Sequence, residues 1–370
     1  MSAPTDEEFR TEIRGWLAEH LAAGAWEGLA WNRHLAEHGW TCVGWPVEHG
    51  GRGLSLAQQV IFHEEYARAG APASVNHLGE ELLGPTLIAH GTPAHQARFL
   101  PPIRAVQELW CQGYSEPGAG SDLAAVSTRA RLDADHWVID GQKVWTSNAH
   151  EADWIFVLAR TEPGSQRHHG LSFLLVPLDQ DGIEVRPIQQ LTGDAEFNEV
   201  FFTGARTSAD LVVGAVGDGW RVAMDLLGFE RGVSTLAQQV GFARELDGLV
   251  ALARDNGAID DPVLRDRLAS AKVELSVMHA NALRTLESPA PGAESIAKLV
   301  WAGWHRRLGE LAMQVAGPAG LTVRAPYELD AWQRLFLFSR ADTIYGGSDE
   351  IQRTILAERV LGLPREPKGA

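Results

Sequence analysis

Three short segments carry residue types that can do chemistry. The first is Gln112-Gly113-Tyr114-Ser115-Glu116-Pro117-Gly118-Ala119-Gly120-Ser121-Asp122. Its glycines and proline make a tight turn, and such turns aim backbone N–H groups and small hydroxyls inward, where they hold ring carbonyls or phosphates. A plain connection has the same composition, so the loop alone does not decide between the two. The second is Lys143-Val144-Trp145-Thr146-Ser147-Asn148. On a strand, Trp145 and Ser147 fall on one side, so one side chain can stack on a flat ring while the other bonds its edge. A tryptophan buried in a barrel core is the ordinary alternative. The third is Tyr345-Gly346-Gly347-Ser348-Asp349-Glu350-Ile351-Gln352-Arg353, a glycine turn leading into an acidic helix start. His34-Leu35-Ala36-Glu37-His38 also fits the H-x-x-E-H spacing of some zinc proteases, but a site needs a third ligand and an exposed helix face explains the pair.

The elements that position these segments fall into three regions: residues 1–108, 109–214 and 215–370. The first reads helical. Thr5 precedes Asp6, Glu7 and Glu8, SLAQQVIFHEEYARAG has helical apolar spacing ended by Gly70, and Thr92-Pro93 opens a further helix. The second switches to strand periodicity, with turns at Asp133-Ala134-Asp135 and Asp140-Gly141 and then WIFVLART, LSFLLVPLD, IEVRPIQ and EVFFTG. Short antiparallel strands at this spacing predict a small barrel or sandwich. The third is helical again: one long pattern over Gly217–Arg254, a helix opened by Asp261-Pro262 and closed near Glu287-Ser288-Pro289, another after Pro291-Gly292, and a last one over about Ser348–Leu361. The expected fold is therefore α+β and multidomain: an N-terminal helical domain, a middle antiparallel β-barrel and a C-terminal helical bundle. This order lacks the βαβ alternation of a nicotinamide-binding sheet.

Composition narrows the function classes. The chain has 370 residues and a formal net charge of −16, which repels phosphate backbones and disfavours nucleic-acid binding. No apolar run reaches the roughly 18–20 residues of a membrane span. The N-terminus lacks a signal-peptide pattern and the two cysteines, Cys42 and Cys111, make no disulfide framework, so a cytoplasmic location is expected. The only lysines are Lys143, Lys272, Lys298 and Lys368. Thirteen tryptophans offer flat faces for a ring-shaped cofactor.

GYSEPGAGSD and, some thirty residues later, VWTS resemble the flavin-binding motifs of the acyl-CoA dehydrogenase family, and Tyr345–Arg353 resembles the start of that family's final helix. The resemblance covers essentially the whole chain. It implies FAD as cofactor and α,β-dehydrogenation of an acyl-CoA, in which a carboxylate takes the α-proton and the β-hydride passes to flavin N5. It implies that Gln112 and Gly120 belong to the cofactor loop, that Tyr114, Ser115 and Ser147 contact the isoalloxazine, and that Trp145 covers its far face. Ser121 would serve both the cofactor and the pantetheine arm. Arg254, Gln314 and Gly317 would be lent to a neighbouring subunit's nucleotide, while Ser348 and Glu350 approach their own. The implied partners are an electron-transfer flavoprotein as acceptor and further subunits in a homo- or hetero-oligomer.

This sequence departs from the family pattern where the base usually stands. The Tyr-Glu-Gly-Thr motif reads Tyr345-Gly346-Gly347-Ser348, and glycine takes no proton. A minority branch places the base on the long helix of the third region. The matching segment is Leu226-Leu227-Gly228-Phe229-Glu230-Arg231-Gly232, so Glu230 is the expected base, with Arg231 and Tyr345 toward the substrate. Leu226, Leu227 and Phe229 are its apolar neighbours in sequence, and an apolar pocket raises a carboxyl pKa. Asp349 and Glu350 are the alternative bases, disfavoured by the helix dipole. Gly346 retains a backbone N–H able to receive the thioester carbonyl. Two further departures, Arg254-Asp255-Asn256-Gly257 without a Phe and Pro318 within Gln314–Gly320, fall in the segments lent across subunits. Rival readings are a relative acting on a carrier-protein-bound or unusual acyl group, and a subunit of a heteromer.

Overall fold

The computed structural model describes residues 5–229, 234–288 and 290–365. The chain divides into two compact units, Met1–Gln189 with Ala195–Gly232, and Gln190–Asp194 with Val233–Ala370.

The first unit opens with helices α1 (Asp6–Ala22), α2 (Gly28–Glu37), α3 (Leu56–Ala69), α4 (Gly84–His90) and α5 (Pro93–Arg104). The starts of α1, α3 and α5 are set by side chains that satisfy orphan N–H groups. Thr5, Ser55 and Thr92 each form a capping box with the residue three positions on. Gly70 closes α3 in the left-handed conformation, as the sequence pattern predicts. The helices bury Phe9, Ile13, Leu17, Trp31, Trp40 and Phe62 in one cluster, each large side chain contributing roughly 1.5–3 kcal/mol. Glu65 on α3 receives Arg14 at 2.9 Å and Arg10 and Arg68 at 2.7 Å, so a buried carboxylate pins α1 to α3.

Strands follow: β1 (Trp110–Gly113), β2 (Arg129–Asp133), β3 (His136–Ser147), β4 (Trp154–Arg160), β5 (Leu171–Pro177), β6 (Ile183–Ile188), β7 (Phe197–Ser208) and β8 (Val212–Val213). They form an eight-stranded sheet in the order β6-β7-β3-β2-β4-β5-β8, with β1 paired to β4 off this path. The expected closed antiparallel barrel is thus corrected to an unclosed sheet: no pairing joins β6 to β8 among the described residues. Two of its pairings, β1 with β4 and β2 with β4, are parallel. The physical reason is the 115–128 loop, which lets the chain leave β1 and re-enter at β2 on the same strand, β4. The central strands β4 and β5 read as continuous apolar runs because both faces are covered. Helix α6 (Gly219–Phe229) packs on β5, burying Val222, Ala223 and Leu226.

The second unit holds α7 (Ser234–Asp255), α8 (Pro262–Glu287), α9 (Ala293–Ala316), α10 (Ala331–Phe338) and α11 (Asp349–Ile355). Asp261 caps α8 through the N–H groups of Val263 and Leu264, and Pro262 follows as the first helical residue. Leu246, Leu249, Trp304, Leu308 and Ala312 are among the core of this bundle. Of the pattern expected as one helix over 217–254, α6 and α7 cover Gly219–Phe229 and Ser234–Asp255, and residues 230–233 lie outside the described residues. The final helix keeps close to its expected span: α11 runs to Ile355 and continues directly as a wider π turn over Leu356–Val360.

Candidate functional site

In the first unit the two motif segments lie against each other. Val144 N–H donates to the Ser115 carbonyl at 2.9 Å. Glu116 and Ala119 close the glycine-rich turn by two mutual backbone bonds, of 2.9 and 3.0 Å. The side chains complete the lock. Lys143, fully buried, donates from Nζ to Glu116 Oε1 at 2.8 Å, to the Leu158 carbonyl at 2.8 Å and to the Tyr114 carbonyl at 3.1 Å. The Glu116 carboxylate also accepts the Ser127 and Thr128 N–H groups and the Ser127 hydroxyl. Burial opposes the charge on Glu116, yet Lys143 and these donors outweigh it and hold the carboxyl at about 2. Burial draws the Lys143 ammonium down to about 8, with Glu116 offsetting part of the loss.

Trp145 sits where the pairing of β3 with β7 shifts register, between Lys143 and Thr146. Its φ is +62° and its indole is 58% exposed, with one edge toward Phe197 at 6.2 Å. A bulge at this point re-aims the side chain. It also overturns the ordinary core-tryptophan reading. Lys143, not Trp145, is the motif's fully buried side chain. Next to Trp145, Thr146 is buried and its Oγ1 has no hydrogen-bond partner among the described residues. An exposed flat ring beside a buried orphan hydroxyl fits a planar polar cofactor laid on this edge. Around them Tyr114 is buried, Gln112, Ser115 and Ser147 are half-buried, and Gly120 and Ser121 are exposed.

The expected base, Glu230, and its neighbour Arg231 lie outside the described residues. Of the apolar residues before them, Leu226 is fully buried, whereas Phe229 is 39% exposed.

In the second unit Tyr345 and the glycine turn rest on a buried polar network. Tyr345 Oη donates to Asp342 Oδ1 at 2.7 Å. Asp342 Oδ2 pairs with His305 Nδ1 at 2.5 Å, and His305 Nε2 meets Glu245 Oε2 at 2.9 Å. Burial alone would discharge His305. The flanking carboxylates of Asp342 and Glu245 reverse this and raise it to about 9. Lys298, also buried, donates to the Asp342 carbonyl and sits over the Trp301 and Tyr345 rings, 4.1 and 4.7 Å from their centroids. Gly346 and Gly347 have φ of +61° and +83°, conformations that favour glycine, and Gln352 Nε2 donates to both of their carbonyls.

A groove of about 510 Å³ beside this turn is lined by Arg306, Ser348, Asp349, Glu350 and Arg353, among others. Ser348 caps α11 through the Ile351 N–H. The helix-start N–H and the Ser348 hydroxyl hold Glu350 below the usual carboxylate range, as expected for a poor base. Asp349 Oδ1 is buried without a partner among the described residues, so it can accept from a ligand hydroxyl. Elsewhere in this unit, Asn256 donates to the Val315 carbonyl at 2.8 Å and so brings the Arg254 turn beside the Gln314–Gly317 turn. Arg254 is exposed, Gln314 accepts from Arg267, and Gly317 has a φ of +59°.

Glu116, Lys143, His305 and Asp342 were not singled out as site residues from the sequence. One signal was present. Lysine is rare in this arginine-rich chain, and two of its four lysines, Lys143 and Lys298, are buried against a motif. A compact ammonium fits such a site where a guanidinium fork does not.

Comparisons with known proteins cover the chain. Family models for the N-terminal, middle and C-terminal domains of acyl-CoA dehydrogenase match residues 3–107, 111–205 and 217–361. The acyl-CoA dehydrogenase IpdE1 of Mycobacterium tuberculosis is 65% identical, over 98% of this chain and 99% of that protein. Among solved structures, the Tcur3481-Tcur3483 steroid ACAD superimposes with a TM-score of 0.86 at 30% identity, over 99% of each chain. The ChsE4-ChsE5 complex of Mycobacterium tuberculosis does so with 0.82 at 30% identity, again over 99% of each. No helix among the described residues is long and apolar enough to cross a membrane. The chain belongs to the acyl-CoA dehydrogenase family and is an FAD-dependent oxidoreductase of acyl-CoA thioesters.

Proposed function

We propose that this chain carries out α,β-dehydrogenation of a bulky, polycyclic acyl-CoA to the trans-2-enoyl thioester, as one subunit of a heteromer that passes electrons to an electron-transfer flavoprotein. The observation that carries the chemistry is the pinned pair of motif segments presenting Trp145 at 58% exposure beside the Thr146 hydroxyl. Bound there, FAD supplies a two-electron acceptor for the hydride leaving the β-carbon. The chain's own residues do the rest. Tyr114, Ser115 and Ser147 hold the ring edge, Trp145 covers the far face, and Ser121 meets the pantetheine arm. Glu230 takes the α-proton, with Arg231 and Tyr345 toward the substrate. The Gly346 N–H receives the thioester carbonyl as enolate character develops, a contribution of a few kcal/mol. Ser348 and Glu350 reach the nucleotide, and Arg306 and Arg353 give its diphosphate positive charge.

The acyl group is inferred from the relatives. Two structures similar to this chain are described as a steroid ACAD and a two-component complex. A glycine at 346 removes a side chain from the pocket and so admits a wider substrate. The altered Arg254–Gly257 and Gln314–Gly320 segments favour a non-identical neighbour over a copy of this chain. Three domains over 1–108, 109–214 and 215–370 would carry the helical, sheet and bundle parts of this machinery.

The test is anaerobic bleaching of bound flavin by acyl-CoAs. Straight-chain and steroid-derived thioesters are added to the chain alone and to the chain co-expressed with a family relative. We expect bleaching by the steroid thioester only. Equal bleaching by straight chains would overturn the substrate reading, and full activity of the lone chain would overturn the heteromer. Glu230→Gln should keep its flavin and bleach about 10²–10⁴-fold more slowly. A wild-type rate in that variant would remove Glu230 as the base.

A further inference from the structure

The sequence offered His34 and His38 as two ligands without a third. The fold supplies the third from another helix. His20, near the end of α1, brings Nδ1 to 2.7 Å from His34 Nε2 on α2. His38, the residue that ends α2, completes the group: one ring nitrogen from each of the three lies within 4.8 Å of the others. The ring centroids are 4.3–4.9 Å apart. The pair expected on an open helix face is therefore part of a cluster in which His20 and His34 are half-buried and His38 is exposed.

Three features prepare the rings as ligands. Trp16 stacks on His20 at 4.2 Å, and Trp26 lies 4.6 Å from His34, so the rings are held by aromatic walls. Trp26 Nε1 donates to the His20 carbonyl at 2.8 Å and fixes that wall. A carbonyl only accepts, so the 2.8 Å contact of His38 Nδ1 with the His34 carbonyl puts the ring proton on Nδ1 and the lone pair on Nε2. A hydrogen bond from the ring nitrogen that does not face the metal is what fixes the tautomer of metal-bound histidines.

We propose that His20, His34 and His38 bind a divalent transition-metal ion that staples α1 to α2. Three nitrogen donors without a clustered carboxylate select Zn²⁺ and its first-row neighbours over Mg²⁺ or Ca²⁺. One coordination position is left for water. None of the three residues belongs to the flavin motifs, so the proposal stands apart from the dehydrogenase reading.

The experiment uses untagged, flavin-loaded, full-length protein stripped by a chelator. Co²⁺ is titrated while visible absorption and tryptophan fluorescence are followed, and Zn²⁺ is then added as competitor. We expect one site per chain, the visible bands of low-coordinate Co²⁺, perturbed Trp16 and Trp26 emission, and displacement by one equivalent of Zn²⁺. His20→Ala and His38→Ala should each weaken Zn²⁺ binding about 100-fold or more, because each removes a metal–nitrogen bond. His38 is exposed, so His38→Ala keeps the fold and decides the matter if His20→Ala does not. Zn²⁺ should also raise the melting temperature of the wild type and not of His38→Ala. Absence of binding at micromolar metal, or equal binding by wild type and His38→Ala, would overturn the site.

Discussion

In the first unit a lysine buried among carbonyls and one carboxylate locks the flavin-type motifs. In the second unit a histidine between two carboxylates underlies the Tyr345 turn. The two devices have opposite sensitivities. Glu116 is held at about 2, below its unfolded value of roughly 4, so its stabilisation is present above pH 4 and lost as pH falls through about 2. His305 is raised to about 9 from an unfolded value of roughly 6.5, so its stabilisation is complete below pH 6.5 and lost as pH rises through about 9. Lys143 adds an alkaline term of the other sign, since its cost of burial shrinks as pH climbs from about 8 toward 10. Acid thus attacks the first lock and alkali the second.

The largest effect should come from breaking the first lock. Lys143→Met leaves Glu116 charged and buried, and should cost roughly 3–5 kcal/mol in urea unfolding and lose bound flavin. Adding Glu116→Gln should restore at least half of that stability. If the double variant is no better than the single one, the pair is not the organising feature of this unit. His305→Gln comes next, at about 2–3 kcal/mol near neutral pH. The difference between wild type and variant should vanish as pH rises from 6.5 to beyond 9. A constant difference across that range would mean that His305 acts by packing rather than by charge.

Gly346→Ala should cost about 1 kcal/mol, because φ is +61° there. Turnover should be largely kept, since the N–H remains. Gly346→Pro removes that N–H, so unchanged turnover in the proline variant would discard its role toward the thioester. Trp145→Ala should be the mildest in the flavin-free chain, within about 0.5 kcal/mol, because the ring is 58% exposed. The same variant should hold flavin more weakly. A large loss of flavin-free stability would show that the indole belongs to the fold.

Much of this molecule is legible locally. Capping residues Thr5, Ser55, Thr92 and Asp261 mark helix starts because they satisfy N–H groups within their own turn. The α–β–α order follows from the change of apolar period. The sheet's openness does not, because the parallel pairing of β1 with β4 depends on a loop path and not on alternation. Trp145 was found by its motif, but the bulge that exposes it arises in the register between β3 and β7.

The sequence by itself determined the family, the glycine at 346 and hence the need for a base elsewhere. These depend on residue identity and order along the chain. Tertiary structure decided which ions are buried together: Lys143 with Glu116 across 27 positions, and His305 with Asp342 across 37. It likewise gave His34 and His38 their third neighbour, His20. Pairing energies of this kind depend on distance and desolvation, and both are set only when separate elements pack.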